Sequence, residues 1–191
     1  MVHYAEMPAA VDLLKRSNRV MVVGCSGGGK TTLSQKLARH LRLEYQSIDR
    51  DVRWLPGWTA RDRDEQRAII EGLIARDRWV MDGSGPGSFD LRLPRTDLVI
   101  WIRMPRRVCL WGVACRVWRN YGKVRVAMAE GCPEPLPDRA FLEYIWNFEK
   151  DSVPIFIRNF ERYGSQVPVP VLVLKSRREV GKLLDLVGVA D

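Results

Sequence analysis

Directly after the apolar run Val20 to Val23 the chain reads Gly24-Cys-Ser-Gly-Gly-Gly-Lys-Thr-Thr32, a complete G-x-x-x-x-G-K-T motif. Few backbones satisfy this pattern. Glycines reach φ > 0 and gather successive N–H groups around an anion, while the helix behind them points its positive dipole end at the same charge. The flanks have the required character. Val20 to Val23 reads as a short buried parallel strand, and Leu33, Leu37 and Leu41 recur at i, i+4 and i+8 as a helical stripe. In that setting Gly24, Ser26, Gly27, Gly28, Gly29 and Thr32 line a phosphate cup. Lys30 reaches the β- and γ-phosphates and the Thr31 hydroxyl is the expected Mg²⁺ ligand. The expected cofactors are ATP and Mg²⁺.

The rest of the chain alternates short apolar strands with helical stripes. Strands are expected at Leu43 to Ile48, ending on Asp49, at Trp79 to Met81, ending on Asp82, at Asp97 to Ile102 and at Val169 to Leu174. Helices are expected over about Ala9 to Arg16, Thr59 to Asp77, Pro105 to Tyr121, and Arg177 to Val187. Another begins near Asp138 and breaks before Pro154. The fold class that follows is α/β, a P-loop NTPase three-layer sandwich with a five-stranded parallel sheet, helices on both faces and a lid. All 191 residues read as a single domain. Its acceptor-binding region spans about 50–78, and its lid about 116–138, including a Gly- and Pro-rich excursion at 122–137 expected to be mobile. The Pro105 to Tyr121 helix carries Val108, Trp111, Cys115 and Trp118 as a stripe on one side.

The net charge of +8 is carried largely by scattered arginines, which suit bidentate phosphate recognition and favour small polyphosphates over nucleic acid as partners. No apolar run approaches the roughly 18 residues of a membrane span. The N-terminus lacks the basic and apolar regions of a signal peptide, so a cytoplasmic location without membrane association is expected. Cys25, Cys109, Cys115 and Cys132 show no C-x-x-C pairing, and His3 and His40 stand far from them in sequence, which argues against zinc. Packing is the preferred reading of all four thiols, with redox sensitivity of the loop through Cys25 as the alternative.

Ligands of parallel sheets collect at the carboxyl ends of the strands, which singles out Asp49 and Asp82. Either carboxylate could hold Mg²⁺ through its water shell; the alternative for each is an N-cap or turn. Arg116, Arg119 and Lys123 recur at i, i+3 and i+7 ahead of the lid, so closure could bring them to a transferring phosphoryl group. Lys30, Asp49, Arg116 and Arg119 thus form the candidate catalytic set. On the acceptor side stand Asp51, Arg53 and Arg92, with Arg95, Trp54 and Trp58 as further candidates against structural alternatives. A hydroxyl acceptor would use Asp49 or Asp51 as base; a phosphate acceptor needs no base and would be held by Arg53 or Arg92. No N-K-x-D guanine-reading sequence follows any strand.

Taken in order, Gly24 to Thr32, Asp49, Trp54-Leu-Pro-Gly-Trp58, Asp82-Gly83, Leu91-Arg-Leu-Pro94 and Pro105-Arg-Arg-Val-Cys-Leu-Trp111 resemble the adenylate-kinase-like P-loop proteins often labelled DNA topology modulation proteins. The likeness runs from about Arg19 to Arg178. It implies the nucleoside-monophosphate-kinase fold, with an acceptor region after the second strand and an arginine-bearing lid. Lys30 and Thr31 match that family's phosphate and Mg²⁺ positions, Asp82-Gly83 its Asp-Gly, and Arg92 the arginine that contacts the acceptor. Arg119-Asn-Tyr-Gly-Lys looks like the start of the lid, with Arg116 and Arg119 as its phosphate-binding arginines. Asp49-Arg-Asp51 is also similar to the paired aspartates of shikimate kinases. Ser84-Gly85-Pro86 stands where adenylate kinases have Phe-Pro-Arg, so AMP is not the expected acceptor. The function expected is ATP-dependent transfer of a γ-phosphoryl group to a small acceptor by a monomer or weak dimer. The rival is a nucleotide-binding regulator or nucleic-acid-interacting ATPase.

Overall fold

In the computed structural model, which describes residues 1–163 and 168–189, the elements follow the expected alternation. They are α1 (Met7–Arg16), β1 (Arg19–Gly24), α2 (Lys30–Leu41), β2 (Glu44–Ser47), β3 (Trp54–Leu55), β4 (Thr59–Ala60), α3 (Arg63–Ile74), β5 (Trp79–Asp82) and α4 (Phe89–Arg92). Then come β6 (Leu98–Ile102), α5 (Arg106–Asn120), α6 (Arg139–Asp151), α7 (Val153–Tyr163), β7 (Val171–Leu174) and α8 (Arg177–Val187). Five strands form one parallel sheet in the order β2-β5-β1-β6-β7. All five residues of β6 are buried, as a strand covered on both faces requires.

Register fixes what the sheet offers at its carboxyl edge. Val22 pairs with Asp82, Ser47 with Asp82, and Gly24 with Ile102, so the phosphate loop leaves β1 beside the last residue of β5. Below that edge Trp101 packs with Phe156 and Phe160 of α7, which stack on Phe89 at ring separations of 5.3 to 5.8 Å. These large buried rings anchor α4 and α7 to the sheet. The chain start adds an unforeseen piece, because His3 and Ala5 bond the backbone of Val171 and extend the β7 edge.

Three expectations change. The region after β2 departs from the expected strand end at Asp49 and helix start at Thr59: β2 stops at Ser47, Ile48–Arg53 forms a π-helical turn, Trp54 to Ala60 a two-stranded hairpin, and α3 begins at Arg63. The excursion at 122–137 is partly packed. Ala127, Met128, Ala129, Cys132 and Glu134 are buried, and Met128 and Cys132 pack against Trp54 and Trp58. The stripe expected on α5 divides: Trp111 and Trp118 are 71% and 89% exposed, while Val108 packs against the core and Cys115 is half-buried. The inward face of α5 is instead Cys109, Gly112, Val113 and Arg116, spaced at i, i+3, i+4 and i+7.

Gly112 lets α5 press onto the phosphate loop. A Cβ there would collide with the Gly27 carbonyl, and a Cβ on Gly27 would collide with the Cys109 carbonyl. Alanine at 112 would favour the helix by about 1 kcal/mol on propensity alone. The clash reverses the sign: Gly112→Ala is expected to lose about 1 to 3 kcal/mol in chemical denaturation, with α5 pushed off the loop.

Candidate active site

The loop has the geometry of an anion cradle. Gly27 and Gly29 take φ of 77° and 98°, and α2 starts on Gly29 with no side-chain cap, leaving its first N–H groups to an external acceptor. By contrast α3, α6 and α8 are capped by Asp62, Asp138 and Ser176. Lys30 Nζ donates to the Cys25 carbonyl at 3.0 Å, so the ammonium is held beside the loop. The Ser84 hydroxyl clasps the loop's first residue, donating to the Gly24 carbonyl at 2.7 Å and accepting from its N–H at 3.0 Å.

Asp82 is the buried charge of the site. It is 4% exposed and its Oδ2 accepts from Thr31 Oγ1 at 2.6 Å and from the Tyr45 hydroxyl at 3.1 Å, while Oδ1 is buried without a partner among the described residues. Burial pushes its pKa up; Lys30, Thr31 and Tyr45 pull it down, and nearby Asp49 raises it further. Tyr45, desolvated and beside Asp82, is pushed well above the usual phenol range. Thr31 and Asp82 therefore gather hard oxygen atoms at one point, a carboxylate oxygen unpartnered among the described residues included, with Asp49 close enough to act on Asp82, and this donor set fits Mg²⁺. Among the described residues no cluster of three or more Asp, Glu, His or Cys side chains could form an all-protein cage.

From the lid side Arg116 reaches the loop, its Nη1 standing 3.1 Å from Ser26 Oγ. Its Nε pairs with Glu134 at 2.7 Å, and Arg125 pairs with the other oxygen of the same carboxylate at 2.5 Å. Burial lowers the pKa of Arg116, and Glu134 offsets the loss. Glu134, in a Pro-rich stretch with no motif, thus ties the lid segment to the helix that carries Arg116. Arg119 stays exposed on α5, making no ion pair among the described residues. Arg177, from the start of α8, covers the loop from the other side: its Nη2 donates to the Gly27 carbonyl at 3.3 Å and its guanidinium fills the space a Cβ on Gly29 would need.

The acceptor candidates separate. Asp49 lies close enough to influence Asp82, Arg116 and Tyr144. Arg53 is exposed over the Trp54 ring at 4.8 Å and also acts on Tyr144, a residue of α6 without sequence signal. Asp51 is turned to structure, accepting the Ser47 N–H at 2.8 Å and pairing with Arg50 at 2.6 Å. Arg92 is corrected more sharply. It is 0% exposed, with Nε on Ser88 Oγ at 3.0 Å, Nη1 on the Gly83 carbonyl at 2.9 Å, and Nη2 on the Ser84 and Gly85 carbonyls at 2.5 and 2.8 Å. A guanidinium so enclosed has no face for an acceptor; it holds the turn after Asp82 in shape. Burial pushes its pKa down to about 9, so it stays charged at neutral pH. Between the hairpin and the lid lies a cleft of about 580 Å³ lined by Arg50, Trp54, Arg61, Arg125 and Met128.

No protein-family profile matches the chain, and no curated protein matches it in sequence. Solved structures do match in three dimensions. Shikimate kinase from Acinetobacter baumannii, in complex with shikimate, superposes with a TM-score of 0.55 at 14% identity over 92% of this chain and 94% of that one. Shikimate kinase from Bacteroides thetaiotaomicron gives 0.51 at 17% identity over 88% and 95%. The chain therefore has an α/β P-loop NTPase fold of the kind found in these kinases. No helix among the described residues is long and apolar enough to cross a membrane.

Arg92→Ala separates a structural role from a binding one. It strands the carbonyls of Gly83, Ser84 and Gly85 and is expected to cost about 3 kcal/mol or more in denaturant unfolding. A role in holding acceptor would instead leave stability unchanged and raise KM.

Proposed function

We propose that the chain is an ATP-dependent phosphotransferase that moves a γ-phosphoryl group to a small acceptor held between the hairpin, the π-helical turn and α6. The observation that carries this reading is Arg116: a guanidinium of α5, tied by Glu134 to the segment at 122–137, whose tip lies within hydrogen-bond distance of the loop at Ser26. A loop that only stores nucleotide has no need of a second cation there. Phosphoryl transfer does, because charge spreads over the transferred group as the bond to the leaving oxygen weakens.

In this reading the N–H groups of Gly27 to Thr31 hold the β-phosphate, and Lys30 leaves the Cys25 carbonyl to span the β- and γ-oxygens. Arg116, and Arg119 on closure, offset the developing charge. Thr31 and Asp82, with Asp49, would hold Mg²⁺, which when bound neutralises phosphate charge. Asp51 is committed to Arg50 and the Ser47 N–H, so Asp49 is the better base for a hydroxyl acceptor. Arg53 is the free cation for an anionic acceptor group. The resemblance to the topology-modulation proteins and the fold shared with shikimate kinases both agree with transfer chemistry on a small molecule, and the absence of the adenylate-kinase Phe-Pro-Arg argues against AMP.

A second reading has one observation in its favour. Between Leu98 and Ala129 the chain carries seven basic residues and no acidic one, and Trp111 and Trp118 stand exposed within that stretch. Basic and aromatic groups so interleaved suit single-stranded nucleic acid, with nucleotide then acting as regulator.

ADP formation measured against a panel of nucleoside monophosphates, nucleosides and small polyol acids tests the first reading. Acceptor-dependent turnover is expected; turnover indifferent to every acceptor, with salt-sensitive oligonucleotide binding, would overturn it in favour of the second. Lys30→Ala is expected to lower turnover by about a hundredfold or more with folding intact. Arg116→Ala should reduce kcat with ATP affinity little changed, and a loss confined to affinity would remove its proposed role.

A further inference from the structure

Two thiols under the phosphate loop take no part in the proposed transfer. Cys25 follows Gly24, and its carbonyl accepts from Lys30 Nζ at 3.0 Å and from the Gly28 N–H at 3.3 Å. Cys109 sits in the first turn of α5, with its own carbonyl against Gly27. Both side chains are buried and share the wall of a cavity of about 490 Å³ with Met104, Ile145, Phe148 and Lys175. The Cys109 thiol also lies 3.8 Å from the Met104 carbonyl.

The pair is chemically unequal. The Cys25 S–H, and then Lys30 and Arg177, draw the Cys109 thiol below its ordinary pKa against the opposing effect of burial. The contact with Cys109 and burial push Cys25 far up. Of the two sulfurs Cys109, at the start of a helix, is therefore the better nucleophile, and Cys25 the poorer one on the same cavity wall. Cys115, half-buried on α5, and Cys132, whose thiol lies 3.2 Å from the Leu55 carbonyl, have no such partner among the described residues.

We propose that Cys25 and Cys109 form an oxidative modification site: a dithiol that takes a hydroperoxide as its oxidant and closes to a disulfide that disables the phosphate loop. The Cys109 thiolate attacks the terminal peroxide oxygen. An S–O bond forms, the O–O bond breaks, and the leaving alkoxide takes a proton from solvent to depart as alcohol, or as water from hydrogen peroxide. The Cys25 sulfur then attacks the Cys109 sulfenic acid. The S–S bond forms, the S–O bond breaks, and the hydroxyl leaves as water with the Cys25 thiol proton. Two electrons pass from the sulfurs to the peroxide.

The new bond, about 2.0 Å long, is shorter than any thiol contact and ties the first turn of the loop to α5. Cys25 holds both Lys30 and the Gly28 N–H through its carbonyl, so moving its Cα disturbs the cradle at two points. The same cross-link joins the loop to the helix that carries Arg116. The effect on nucleotide rests on the phosphate-loop reading; formation of the disulfide does not.

Oxidation of the full chain by a small excess of hydrogen peroxide, followed by peptide mapping without reductant, reads the bond directly. The expected result is a Cys25–Cys109 cross-linked peptide two hydrogens lighter than its thiol forms, reversed by dithiothreitol, with affinity for a fluorescent ATP analogue falling about tenfold or more. Cys109→Ala, and Cys109→Ser as a second variant, should keep their affinity after the same treatment. Thiols intact at 25 and 109, or oxidation confined to Cys115, would overturn the site. A cross-link with unchanged affinity would overturn its control of the loop. If the reduced protein binds no nucleotide, the phosphate-loop reading fails while the cross-link still decides the dithiol.

Discussion

Asp82 is a carboxylate taken out of water, and the site is organised around what that costs. Its position is set by the sheet, since β5 pairs with β1 so that Val22 and Asp82 lie side by side. Burial of such a charge is unfavourable unless hydrogen bonds and cations offset it. Here Thr31 and Tyr45 supply the hydrogen bonds and Lys30 a favourable positive charge, but one oxygen remains without a partner among the described residues. The chain retains a group that an ordinary core would replace. A buried orphan acceptor facing a loop hydroxyl is intelligible as half of a cation site, and much less so as packing.

Around that carboxylate the scaffold is fixed by backbone approaches rather than large side chains. Gly24 lies against the Ile102 carbonyl, Gly27 against Cys109, Gly112 against Gly27, and Gly83 against Ile48. Fully buried Arg92 serves the same end, tying three successive carbonyls of the turn after Asp82. The segment at 122–137 is joined in a different way. Glu134 accepts from Arg116 and Arg125 together, so one ionised residue couples the packed segment at 122–137 to the loop. Such a joint is strong while both arginines stay on the carboxylate. It also gives Arg116 an alternative partner to a phosphate.

Much of the fold was legible because strands covered on both faces must be apolar and strands that end at a ligand site end in polar residues. β1, β5 and β6 follow from that rule, as does the placing of Asp82 at the end of β5. Other features were hidden for stated reasons. The inward face of α5 contains Cys109, Gly112, Val113 and Arg116, so its true period carried only a weak apolar signal, and the conspicuous Trp111 and Trp118 marked the wrong side. Arg92 was read as a binding arginine because an arginine satisfied by backbone carbonyls is invisible until the turn is folded. Glu134, Tyr144 and Ser84 lie in no motif and acquire meaning only through residues distant in sequence. The proximity of Cys25 and Cys109, 84 positions apart in the chain, is of the same kind.

The central claim is that Gly24 to Thr32 is the donor half of a transfer site whose cations are Lys30 and Arg116. A crystal structure of the chain with Mg²⁺ and a non-hydrolysable ATP analogue addresses it most directly. The account expects the triphosphate on the N–H groups of Gly27 to Thr31, Lys30 moved from the Cys25 carbonyl to the phosphates, the cation beside Thr31 and Asp82, and Arg116 within hydrogen-bond distance of the γ-phosphate. A nucleotide bound elsewhere, or one on the loop with Lys30 still on Cys25 and Arg116 turned away, would contradict it.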